Sequence, residues 1–280
     1  MISGVVEMMI RPKVFDCTLR EVGYQTGWFF DVSFCRELYS FAQGKGINYI
    51  ELGFFHDPGH DRDRGLFRYC SENQEEIKQI FGQAKNRVKI SAMRDIQRPM
   101  TPLADCDKGV VDTIRILTRS HETDLNKLKY QVEDVKNHGY ELFINFTSAG
   151  YNTTEQNKGF ADFAADNNIP VVYFADTESV MTEGYIMETI KICRERGLQV
   201  GIHLHDKNGM AEQLAEVALL NNTDYTDFTL LGLGGKGKDG NLSTEYYLQK
   251  KGITGGYELT HLKNSLITQI IKYHEHSAAV

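Results

Sequence analysis

Residues 170–205 read PVVYFADTESVMTEGYIMETIKICRERGLQVGIHLH, and this stretch holds one whole repeat of the fold. Pro170–Asp176 is a short apolar run rich in β-branched and aromatic residues, and Gln199–His205 is a second. Between them, 181–196 carries the three-to-four-residue apolar spacing of a helix, and Gly197 stands where a left-handed C-cap needs no side chain. A strand, a helix and a strand joined by short turns imply parallel pairing through a right-handed crossover. Six further runs extend the pattern to both ends: Val14–Arg20, Ile47–Phe54, Val88–Arg94, Val111–Thr118, Glu141–Thr147 and Asp227–Leu233. Helical candidates fall near 32–44, 71–86, 122–138, 154–167, 209–221 and 241–251, and Gly44, Gly46 and Gly139 mark further helix stops. Only the short segment Thr101–Lys108 separates the third run from the fourth.

Eight such units are the number that closes a TIM (β/α)8 barrel. An open doubly wound sheet competes, but no Gly-rich dinucleotide turn follows the first run and no composition break marks a second domain. The expectation is one domain over 1–280: a barrel across about 12–252 and a C-terminal helical extension over 257–280. The extension carries Leu262, Leu266 and Ile270 on one face, suited to capping the barrel or to an oligomer contact, and a homodimer is expected. With 280 residues, eight such units account for most of the length, and no further domain is expected within it.

Composition narrows the class. With 41% hydrophobic and 25% charged residues, disorder, collagen and coiled coil are excluded. Lys plus Arg (31) against Asp plus Glu (38) gives −7, so no basic field steers nucleic acid to the chain. Five dispersed cysteines, Cys17, Cys35, Cys70, Cys106 and Cys193, cannot form a complete disulfide set and fit reduced thiols in the cytoplasm. Met1–Arg11 lacks the basic leading region of a secretory signal, and no apolar run reaches the 18 residues of a membrane span.

Barrel chemistry gathers at the carboxyl ends of the strands, and several ends here carry unexpected polar groups. Asp16, Thr18 and Arg20 alternate along the first run, with Glu21 just beyond. Glu51 is a lone carboxylate among Tyr49, Ile50 and Leu52, and burial obliges it to find a cation, for which Arg20 on the adjacent strand is available. His203 and His205 lie two apart on the seventh run, about 7 Å apart at Cα by strand rise, so both rings can converge on one metal ion. The eighth run leads into a glycine-rich loop, Gly232 to Gly240, suited to close approach of an anion, and Asn241 follows as a helix N-cap or an oxygen ligand.

Three blocks, 15–21, 201–211 and 232–245, together resemble the DRE-TIM metallolyases. That superfamily includes hydroxymethylglutaryl-CoA lyase, isopropylmalate and homocitrate synthases, 4-hydroxy-2-oxovalerate aldolase and the carboxyltransferase domain of pyruvate carboxylase. The resemblance implies that Glu21, His203, His205 and Asn241 bind a divalent metal, that Arg20 stabilises an enolate oxygen, and that Glu51 supports the arginine. Three departures stand out. The usual Arg-Asp-Gly is Arg20-Glu21-Val22, and Lys236 stands near the lyases' catalytic cysteine. Tyr24 occupies the position of the aldolases' histidine base.

The resulting expectation is a metal-dependent carbon–carbon lyase that acts on a 2-oxo acid through an enolate. The metal is Mn, Mg, Co or Zn, since mixed nitrogen and oxygen donors suit each. Arg20, Glu51 and Tyr24 are the expected catalytic residues, with His56 and His60 as other proton carriers; Asp16, Arg94, Thr147 and Gly234 are expected at the substrate. Arg98, Arg115 and Arg119 fit either a substrate anion or surface pairing. A Claisen synthase using acetyl-CoA shares the metal core, a non-haem iron oxygenase uses similar ligands, and a non-catalytic barrel with a decayed site is the remaining alternative.

Overall fold

The computed structural model describes residues 12–55, 57, 63–82, 88–98, 100–105, 109–235 and 240–278. Eight parallel strands pair in sequence order, and the first pairs with the last to close a barrel. They are β1 (Lys13–Asp16), β2 (Tyr49–Phe54), β3 (Lys89–Asp95), β4 (Thr113–Arg119), β5 (Glu141–Thr147), β6 (Val171–Asp176), β7 (Gln199–Leu204) and β8 (Tyr225–Phe228). The helices are α1 (Thr18–Thr26), α2 (Val32–Lys45), α3 (Gln74–Phe81), α4 (Leu125–Asn137), α5 (Thr154–Asp166), α6 (Glu183–Arg194), α7 (Ala211–Leu220), α8 (Thr244–Lys250) and α9 (Gly256–Ala278). As the short third connection implies, its described part holds only a 3-10 turn at Leu103–Asp105.

Alternation along the strands sorts the residues. One set, including Ile50, Ile90, Ile116, Ile144, Phe174 and Ile202, packs outward against the helices. The other set fills the barrel, where Phe15, Tyr49, Phe143, Tyr173 and Tyr225 form an aromatic plug, with Phe15 stacked on Tyr49 at 4.1 Å. Helix starts have visible causes: Asp124 accepts the Asn126 and Lys127 amides at α4, and Thr153 with Gln156 forms a capping box at α5.

Two strand expectations need correction. The first run does not continue to Arg20: β1 stops at Asp16, and Thr18 onward is helical. The eighth strand is Tyr225–Phe228, and the segment expected to continue it turns at Leu230–Gly232, with Leu231 at φ 62°. Gly46, Gly139 and Gly197 follow helices in the left-handed region, whereas Gly44 lies inside α2. The terminal helix α9 packs against α1 and α2 through buried Leu262 and Leu266, and Gln269 Oε1 accepts the Asp31 amide at 2.8 Å. Among the described residues, no helix is long and apolar enough to cross a membrane.

Candidate metal centre and active site

The turn from β1 into α1 builds one side of the site. Cys17 N–H bonds Phe228 O at 2.8 Å, Asp16 Oδ1 accepts the Thr18 amide at 2.9 Å, and Thr18 Oγ1 accepts the Leu230 amide at 2.9 Å. These contacts fix the first turn of α1 at the carboxyl end of the barrel, with Arg20 and Glu21 both buried. Glu21 Oε1 contacts Arg20 Nη1 and lies 3.1 Å from His203 Nε2, while Glu21 Oε2 accepts the Gly235 amide at 2.9 Å. Gly234, at φ +131°, lies so close that a Cβ there would meet the Glu21 Cβ at 2.4 Å.

The end of β7 supplies the other side. His203 Nδ1 is 2.8 Å from Asp227 Oδ2, which leaves Nε2 turned toward Glu21, and the His203 and His205 ring centroids are 5.2 Å apart. Glu21, His203 and His205 are all buried and each offers a ligand atom, all within 4.8 Å of one another. Asn241 pairs with His205 across an isolated bridge; its amide nitrogen donates to Leu233 O at 3.4 Å, while its Oδ1 is buried with no hydrogen-bond partner. Two imidazoles, a carboxylate and an orphaned amide oxygen form a donor set that fits a divalent cation of intermediate hardness. The extra methylene of Glu21 therefore does not keep the carboxylate from the histidines.

Beneath the ligands runs a chain of buried ions. Arg20 Nε is 2.7 Å from Glu51 Oε1; Arg115 Nε is 2.9 Å from Glu51 Oε2; Arg115 Nη1 is 2.5 Å from Asp227 Oδ2, which also holds His203. Ser91 Oγ donates to Glu51 at 3.2 Å. The Arg115 guanidinium rests on the aromatic plug, 4.3 Å from the Phe15 centroid and 4.4 Å from that of Tyr173. Burial alone raises a carboxyl pKa, yet the charge of Arg20 and the His203 hydrogen bond hold Glu21 far below the usual range. Burial is likewise outweighed at Asp227, where Arg115 and His203 hold the carboxyl at about 2. At Cys17 burial prevails, followed by repulsion from Asp227, and the thiol is pushed well up, so it stays protonated.

Several expected site residues lie elsewhere. Asp16, next to the inward-facing Phe15, is fully buried and serves the β1–α1 turn; burial pushes its pKa up to about 6. Arg94 is buried on the outward face of β3, held by Asp134 of α4 at 2.8 Å and the Thr101 carbonyl at 2.8 Å, because alternation turns it away from the inward Ser91. Gly234 supports Glu21 rather than presenting a free anion cradle. Arg98 and Arg119 pair at the surface with Asp95 and Glu122. Thr147 ends β5, half-buried, with its hydroxyl 3.4 Å from Thr118 O. Tyr24 stands one turn along α1 from Arg20 and Glu21, its ring 4.8 Å from that of Trp28. Loss of water around the phenol, then the charge of Glu21, raises its pKa, so it holds its proton at neutral pH. His56, His60, Cys106 and Lys236 lie outside the described residues.

Asp227 and the barrel-interior role of Arg115 were not anticipated. Their signal was the one that exposed Glu51: a charge alone in an apolar strand, here Ile114-Arg115-Ile116 and Asp227 before Phe228.

A family model described as HMGL-like matches residues 11–267. The chain belongs to the HMGL-like family. It thereby falls in the DRE-TIM superfamily, whose members are lyases and carboxyltransferases that use a divalent metal. It is 23% identical over 276 residues to a 4-hydroxy-2-oxovalerate aldolase of Thermomicrobium roseum, covering 94% of this chain and 74% of that protein. Among solved structures, the N-terminal domain of a Bacteroides vulgatus protein provisionally described as an aldolase superposes with a TM-score of 0.77 at 23% identity, over 94% and 88% of the two chains. The HMG-CoA lyase of Bacillus subtilis superposes with a TM-score of 0.73 at 17% identity, over 94% of each chain. These likenesses establish the fold, and the donor set above fits the metal that the family uses.

Proposed function

We propose that this protein is a divalent-metal-dependent carbon–carbon lyase that cleaves a 4-hydroxy-2-oxo acid and releases pyruvate. One observation carries the reading. Beside the buried Glu21, His203 and His205 stands Arg20, whose Nη2 is buried and has no hydrogen-bond partner among the described residues. A metal held by Glu21, His203, His205 and Asn241 would act as a Lewis acid on the 2-oxo acid. Arg20 then offers its unused Nη2 N–H to the oxygen on which negative charge develops as the bond breaks. Glu51 grips Nε of the same guanidinium, fixing its plane before substrate arrives. In cleavage the phenolate form of Tyr24, a minor fraction at neutral pH because its pKa is raised, would take the 4-hydroxyl proton as the C3–C4 bond breaks, and water would protonate the enolate carbon to give pyruvate. In the addition direction the Tyr24 phenol returns the proton to the 4-oxygen.

The test is pyruvate release from 4-hydroxy-2-oxopentanoate by protein stripped of metal and reloaded with Mn²⁺, alongside direct Mn²⁺ binding. Arg20→Ala is expected to lower kcat by about 10²–10³-fold, the usual effect of removing a transition-state donor. His203→Ala and His205→Ala are expected to abolish Mn²⁺ binding. Full activity in Arg20→Ala, or no metal bound by the parent protein, contradicts the reading. Consumption of acetyl-CoA with a 2-oxo acid, without pyruvate release, replaces it with a Claisen synthase.

A further inference from the structure

Another buried cation, Arg68, packs beside Tyr24's ring partners and has no carboxylate partner among the described residues. Arg68 is 93% buried, since only 7% of its surface is exposed, and its Nε is buried with no hydrogen bond. Its guanidinium carbon lies 4.7 Å from the Trp28 ring centroid, 4.8 Å from that of Phe54 and 5.8 Å from that of Tyr69. No carboxylate of the described residues lies within ion-pairing distance of it, whereas Arg20, Arg94 and Arg115, the other buried arginines, each have one. Stacking on rings engages the faces of a guanidinium and leaves its in-plane N–H groups free. Cation–π attraction offsets only part of the cost of desolvating an ion, so the edge calls for an acceptor.

The group is held in place before any ligand arrives. Gly53 of β2 lets the 3-10 turn Leu66–Tyr69 sit directly on the strand, since a Cβ there would meet Phe67 O at 2.0 Å. The Cys70 amide bonds Phe54 O at 2.8 Å, and the Gly65 amide bonds Gly27 O at 2.8 Å, tying the turn to the end of β2 and the end of α1. Trp28 adopts φ 61°, an uncommon conformation for so bulky a residue, in presenting its ring to Arg68. Tyr24 connects this cage to the metal ligands: its ring packs on Trp28 and Phe54, and it stands three residues after Glu21 on α1. The charge of Arg68 is felt at the Tyr24 phenol oxygen.

We infer that Arg68 is the floor of an anion subsite, and that the substrate carries a carboxylate or phosphate on the half remote from its 2-oxo acid. The anion site stands on the geometry of Arg68; its place in the substrate rests on the lyase reading. A substrate bound at the metal that Glu21, His203 and His205 would hold would have Tyr24 and then Arg68 along its remote half. The guanidinium edge then grips the distal anion with paired N–H donors.

Trp28 is the only tryptophan of the chain, so intrinsic fluorescence reads the cage directly. Full-length protein without added metal is titrated with inorganic phosphate and with succinate, against chloride at equal ionic strength. A saturable change with phosphate or succinate is expected, weakened at least about 30-fold in Arg68→Met and several-fold in Arg68→Lys, as loss of a charge-assisted pair implies. The tighter probe tells phosphate from carboxylate. No saturable change with either probe, or an equal change in Arg68→Met, overturns the inference; where circular dichroism shows Arg68→Met misfolded, Arg68→Lys decides, and an unweakened response in it overturns the inference. With Mn²⁺ present, Arg68→Met is expected to raise KM at least 30-fold for a 4-hydroxy-2-oxo acid with a terminal carboxylate or phosphate, and not for 4-hydroxy-2-oxopentanoate. An anion response with no pyruvate from any of these acids keeps the subsite and rejects the lyase; equal KM effects on substrates with and without a distal anion reject its place in the substrate.

Discussion

Glu51→Gln tests whether the buried ion chain is what holds Arg20, the arginine proposed to act in catalysis. Glu51 is fully buried, with one oxygen 2.7 Å from Arg20 Nε and the other 2.9 Å from Arg115 Nε. Glutamine keeps one acceptor but turns an NH₂ toward the second guanidinium, donor against donor. One charge-assisted hydrogen bond is lost, worth about 1.5–3 kcal/mol, and a buried donor is left unmet, costing about 1–3 kcal/mol more. The sum, about 2.5–6 kcal/mol, brackets the about 3–5 kcal/mol that breaking a buried pair usually costs, and that narrower range sets the expected shift. For 280 residues the unfolding entropy is about 0.6 kcal/mol/K, so Tm is expected to fall by about 5–9 °C. Thermal denaturation followed by circular dichroism measures it, with Glu122→Gln as the control. Glu122 pairs with Arg119 at the surface, both side chains 47% exposed, and its removal is expected to leave Tm unmoved. A Tm for Glu51→Gln within about 1 °C of the parent would refute the reasoning, because a loss on this scale requires a shift several times larger.

Asp16 and Asp227 make opposite contributions to the pH dependence of stability. The pKa of Asp227 is depressed to about 2, so its stabilisation is present above the unfolded value near 4 and is lost as pH falls toward 2. That of Asp16 is raised to about 6, so its charged form penalises the fold above pH 6 and the penalty fades as pH falls to 4. The stability of Asp16→Asn relative to the parent, measured by urea unfolding, is therefore expected to improve by about 2.5 kcal/mol between pH 4 and pH 8; a difference independent of pH contradicts the assignment. Gly234→Ala places a Cβ against Glu21 and is expected to weaken Mn²⁺ binding by about 10–100-fold, as supporting contacts of metal ligands do. Unchanged affinity in calorimetry would show that Glu21 does not depend on this contact.

The barrel and its candidate metal ligands were legible because their signals are periodic. Pro170–His205 repeats a strand and a helix, and His203 and His205 share a side because a strand alternates. The interior ion chain was half legible: Glu51 stood out as a lone charge, but Arg115 and Asp227 show the same pattern, and only barrel closure brings them together. Pairing across the closed sheet joins strands far apart in sequence, and no local periodicity encodes that partner.

The start of α1 was illegible for a different reason, and the error bears on the chemistry. Phe15-Asp16-Cys17-Thr18-Leu19-Arg20 alternates well enough to pass as strand, and Cys17, at the N-cap, makes no side-chain capping bond. The helix is set instead by tertiary contacts, the Leu230 amide on Thr18 Oγ1 and the ion pairs of Arg20 and Glu21. Had the segment remained extended, Arg20 and Glu21 would point to opposite sides of the sheet, and only one could reach His203. In a helix, neighbours are separated by about 100° and a residue four ahead returns to the same face. Arg20, Glu21 and Tyr24 therefore converge on one site only because the strand stops at Asp16. The consecutive arginine and acid thus require a strand end there, and a closer sequence reading would have inferred the helix from the chemistry it has to serve.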